Sequence, residues 1–169
     1  MRTEFDASDM SRLNVAISST YPEQGRDSEG SEARFLFEGM TRYRNDLLIN
    51  KLCASLSLSK RDANLLFDDL KRFIALCATE FEPLAPPRVV DEGWHYFILQ
   101  TKDYAAFCDE FCGRFIHHQP ADPAAEVRDY TSDRRRTRER AATVFGTLSG
   151  NWDELLTGGK CTHNCGTGD

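Results

Sequence analysis

The sequence has little that ties it to a membrane, a secretory route or a familiar catalytic frame. No apolar run reaches the about 18 residues that a bilayer-spanning helix needs, so no membrane partner is expected. No basic start is followed by an apolar block of about 7–15 residues, the mark of a secretory signal, and a cytoplasmic protein is expected. In that reducing setting a stable disulfide between the tail cysteines Cys161 and Cys165 is not expected. Positive charge is in deficit: 21 Lys and Arg against 27 Asp and Glu leave a net charge of −6. The deficit argues against a general nucleic-acid binder, while leaving room for a local basic patch. The dinucleotide-binding and P-loop glycine patterns, the G-x-S-x-G elbow, H-E-x-x-H and the EF-hand loop are all missing. No segment alternates as a half-buried strand does, and no repeat is present.

What is there is helical periodicity. The 169 residues suit one domain, and the expected fold class is all-α, a compact bundle of about four or five helices. Ser, Gly and Pro punctuate residues 1–33, which are expected to be a flexible N-terminal segment, with at most a short helix from Met10 to Ile17. Residues 34–157 should form the helical domain and 158–169 a flexible Gly- and Cys-containing tail. The spacing of Leu48, Leu52 and Leu56 predicts a helix over Asp46 to Leu58. Ser59 with Asp62 three residues on predicts the start of a second helix, striped by Leu66, Leu70, Phe73 and Cys77. Pro83, Pro86 and Pro87 end it. A third helix is expected over Arg88 to Leu99. A fourth should be capped by Thr101 and ended by Gly113, and a last should run from Ser132 to Leu148.

Chemistry concentrates between Val90 and Pro120. Asp91 and His95 are four residues apart, one turn along one helix face, and Cys108 and Cys112 have the same relation on the next helix. His117 and His118 follow just beyond its expected end. Two antiparallel helices joined near Gln100 and Thr101 would gather these groups. Cys, His and carboxylate ligands suit zinc, and carboxylate with imidazole also suits iron with open positions. Each residue has a plainer structural role as well. His95 can be a core histidine bonded to Asp91, Cys108 a small buried hydrophobe, and His118 a cap on a carbonyl. Trp94, Phe97, Tyr104, Phe107, Phe111 and Phe115 read as core rather than as a stacking platform. Gly93, mid-helix, reads as a point of close packing. A thiol nucleophile formed by Cys108 or Cys112 with a histidine lacks the local pattern of a known cysteine enzyme.

Two further features bear on partners. Cys161, His163 and Cys165 lie within five residues in the tail, where they can complete a metal site, bind a soft metal alone or do nothing specific. Arg134, Arg135, Arg136, Arg138 and Arg140 crowd the start of the last helix. They suit a nucleic-acid or acidic-protein contact, or a solvated helix face interrupted by Asp133 and Glu139, which the acidic whole favours. The alternative to a metal protein is therefore a non-catalytic protein-interaction module working through that helix or the tail. A remoter reading takes Gly158–Gly159 as the end of a leader and the residues beyond as a small peptide for modification.

The run Asp91, Trp94–His95, Phe97–Leu99, Thr101, Tyr104, Phe107–Cys108, Gly113 and His117–Pro120 resembles small bacterial proteins related to the glycine-rich-domain-containing-protein-like family. Val144–Gly146 followed by Trp152, and the Cys-containing Gly-rich end, add to the likeness, which extends over roughly Asp46 to Trp152. The Trp-His pair, Tyr and Cys of the plant members fall here on Trp94, His95, Tyr104 and Cys108. The long glycine-rich domain of those members is missing. The resemblance implies a shared helical fold and a clustered motif, and no reaction.

Overall fold

A computed structural model describes residues 24–80, 82–118 and 130–153. It consists of six α-helices: α1 (Gln24–Met40), α2 (Asp46–Leu56), α3 (Lys60–Thr79), α4 (Arg88–Ile98), α5 (Thr101–Cys112) and α6 (Tyr130–Phe145). A 3-10 turn, Gly150–Trp152, follows. There is no strand among the described residues. The short helix expected at Met10–Ile17 and the tail 158–169 lie outside them.

The long helix α3 is the axis of the bundle, touching α1, α2, α4 and α6. Its start follows from local chemistry. The Ser59 hydroxyl accepts the Asp62 backbone N–H at 3.1 Å and donates to the Asp62 carboxylate at 2.7 Å. Leu66, Leu70, Phe73 and Ile74 are buried along its length. Beside it Phe97 meets Phe67, Tyr104 and Phe107 edge-on, with ring centroids 5.1–5.4 Å apart. Along α2 Leu48, Ile49 and Leu52 are buried, but Leu47 faces out.

Helix α1 crosses the position 33/34 at which the flexible segment was expected to end. The Gly and Ser residues that argue against a helix there are overridden by packing. Ala33 is fully buried, a Cβ on Gly30 would lie 3.5 Å from Val144 of α6, and Arg34 Nε donates to the Val144 carbonyl at 3.0 Å. Tertiary contact on one face outweighs weak intrinsic propensity. Thr101 is the first residue of α5 rather than its cap. Gln100 occupies the cap position with no side-chain cap bond, because its side chain instead accepts from buried Asn45 at 3.0 Å.

Buried Asp69 on α3 holds the C-terminal turn. Its carboxylate pairs with Arg72 at 2.7 Å, accepts Asn151 Nδ2 at 2.8 Å and accepts the Ser149 hydroxyl. These bonds seat Trp152, which is 1% exposed.

Two substitutions test this packing. Phe97→Ala should cost about 3–5 kcal/mol in urea unfolding, because it empties the centre of the aromatic cluster. Gly93→Ala should stabilise by about 0.4–1 kcal/mol, as the added methyl would sit 3.4 Å from Leu66 in ordinary contact and helix propensity improves. A loss of stability in Gly93→Ala would show that α4 and α3 need the bare glycine.

Candidate metal site and adjoining cleft

Helix α4 sets the first two groups. Val90, Trp94 and Phe97 are buried and fix which face is turned inward, leaving Asp91 and His95 near the rim. The third group comes from the chain beyond α5. Gly113 takes a left-handed conformation (φ 65°), which ends α5 and turns the chain back across α4. Ile116 is buried, and its carbonyl accepts the Tyr104 hydroxyl at 2.6 Å. That hydroxyl in turn accepts Trp94 Nε1–H at 2.9 Å. The two bonds pin residues 114–118 to α4.

His118 is thereby laid against Asp91, with Nε2 2.8 Å from Oδ1. His95 Nδ1 is 3.9 Å from the other carboxylate oxygen, and the two imidazole centroids are 4.4 Å apart. One ligand atom from each of Asp91, His95 and His118 lies within 4.8 Å of the others. The Trp94 indole meets the His118 ring edge-on at 4.6 Å and restricts its tilt. His118 is 14% exposed, Asp91 35% and His95 52%, so the cluster grades from half-covered to open.

The wider ligand set read across both helices divides. Cys108 is buried in the core and Cys112 half-buried, and neither joins the carboxylate–imidazole cluster. The two free thiols are neighbours, one turn apart on α5. The neighbouring Cys112 S–H, and then the Ile116 backbone, lower the Cys108 thiol against the opposing effect of burial. Cys112 is raised, first by its Cys108 neighbour and then by burial. His117 is exposed and faces Phe115 at 4.8 Å, away from the three. Cys161, His163 and Cys165 lie outside the described residues.

A cleft of about 530 Å³ opens beside Asp91 and His118. Trp94 and Ile116 form its floor side, the 82–86 connection one wall, and Arg114 and Arg134 the others. Arg136 Nη2 donates to the Pro83 carbonyl at 3.3 Å, and Ala85 N–H donates to the buried Thr137 hydroxyl at 3.1 Å, so the irregular wall is fastened to α6. Much of the arginine cluster is spent within the fold. Arg140 pairs with Glu80 at 2.5 Å and Arg138 with Asp153 at 2.7 Å, besides the bond from Arg136 to Pro83. Sequence reasoning found Asp91, His95 and His118 but missed Arg114 and the bridging role of Tyr104. The one signal for the latter was a hydroxyl placed among core aromatics, which always needs a partner.

A model of the UCP032817-like family matches residues 40–142, more than half of the chain. Nothing in the comparison points to the glycine-rich-domain-containing proteins that the Trp-His motif resembles. No curated protein and no solved structure matches.

The thiol pair gives a direct test. Cys112→Ala removes the leading cause of the lowered Cys108 thiol and should raise its pKa toward the ordinary thiol range, read by thiolate ultraviolet absorbance against pH. An unchanged titration would assign the lowering to the Ile116 backbone instead.

Proposed function

We propose, for a chain that belongs to the UCP032817-like family, that Asp91, His95 and His118 bind one divalent metal ion, zinc or ferrous iron. The observation that carries this reading is the approach of three ligand atoms to within 4.8 Å of one another. They come from two segments that the Tyr104 bridge holds together. Two imidazoles and one carboxylate are a borderline donor set, without the thiolates that favour softer ions. Three protein ligands leave open positions, as in reactive zinc and non-haem iron centres rather than in closed four-ligand structural sites. The Trp94 contact on His118 supplies the outer support that keeps such a ring in register. Metal binding needs imidazole nitrogens free of protons, so uptake weakens at low pH. The reading gives the protein a metal centre at the mouth of a cleft and assigns it no reaction.

The test is calorimetric titration of zinc, and of ferrous iron without oxygen, into tag-free protein. One equivalent is expected. His118→Ala and His95→Ala should each weaken binding by more than about tenfold, while Cys108→Ala leaves it unchanged. No metal uptake by folded protein would reduce the Asp91–His118 contact to a structural bond. Uptake lost in Cys108→Ala but kept in His118→Ala would move the site to the thiols.

A further inference from the structure

The cleft beside the three ligands has a chemistry of its own. Its volume of about 530 Å³ lies within the range of small-molecule sites. Leu84, Pro83, Pro86, Trp94 and Ile116 give it apolar walls. Two glutamates also line it, but both are directed to arginines that do not: Glu80 to Arg140 at 2.5 Å, and the 78% exposed Glu82 toward Arg136 at 4.0 Å. Arg114 is different. Its Nη2 donates to the Cys77 and Ala78 carbonyls at the end of α3, at 2.9 and 3.3 Å, which holds the guanidinium against the cleft. Nε and Nη1 make no hydrogen bond among the described residues and remain as donors.

We propose that the cleft binds a small apolar carboxylic acid, its carboxylate held by Arg114 and by the metal ion of the Asp91, His95 and His118 site, and its body packed against Trp94, Leu84 and Ile116. The inference rests on the metal reading above. A guanidinium offers parallel N–H donors that match a carboxylate, and a metal ion with open positions accepts the same group. Inorganic phosphate is the poorer fit. It has no apolar body for these walls.

Phenylacetate is the probe, titrated calorimetrically into zinc-loaded full-length protein. Phenylacetamide is the neutral isostere, acetate lacks the ring, and inorganic phosphate lacks both ring and carboxylate. Phenylacetate should bind at least about tenfold tighter than each of the three. Arg114→Ala and Arg114→Gln should each remove that preference over the amide while leaving zinc affinity unchanged. Zinc bound without phenylacetate binding overturns this inference and leaves the metal site standing. So does equal binding of acid and amide, or phosphate binding more tightly than phenylacetate. Failure to bind zinc at all overturns both readings.

Discussion

The Tyr104 hydroxyl is the interaction on which the site depends. It sits among aromatic rings with no exposure, so its polarity has to be satisfied inside the protein. It satisfies it twice, by taking the Trp94 N–H and giving its own proton to the Ile116 carbonyl. Trp94 belongs to α4 and Ile116 to the returning chain, so one oxygen joins the two segments that supply Asp91, His95 and His118. A core position thus sets the geometry of a surface cluster.

The helices were legible because their signals are local. Apolar spacing drew α2, α3, α4 and α5, and Ser59 with Asp62 fixed the start of α3. Gly113 marked the end of α5 for the reason glycine usually does, a left-handed backbone. The first helix was illegible because its stability is not local: Gly30 and Ser31 are poor helix formers whose placement is decided by α3 and α6. Gln100 escaped notice for a related reason, since its partner Asn45 is distant in sequence.

The candidate site divides along the same line. Asp91 and His95 share a face by helical arithmetic alone, and that much follows from spacing. That His118 rather than His117 meets Asp91 is decided by the turn at Gly113 and by Ile116 filling a gap in the core, neither of which a pattern of residue types encodes. Cys108 and Cys112 were grouped with the histidines because they lie on the neighbouring helix. The structure turns that face of α5 into the core, where the thiols find one another. The arginine run of α6 shows the opposite case, a conspicuous sequence feature much of which the fold uses for its own cohesion.

Asp69 carries a consequence for how the protein comes into being. Its carboxylate lies at the middle of the longest described helix, yet two of its three partners, Ser149 and Asn151, are contributed by the far end of the described chain. During synthesis α3 emerges long before those residues exist outside the ribosome. Until they arrive, a buried charge has only Arg72 to answer it, and the face of α3 around it has reason to stay wet. The last turn thus closes over the middle of α3, and two of the three partners of Asp69 are supplied only when that turn docks.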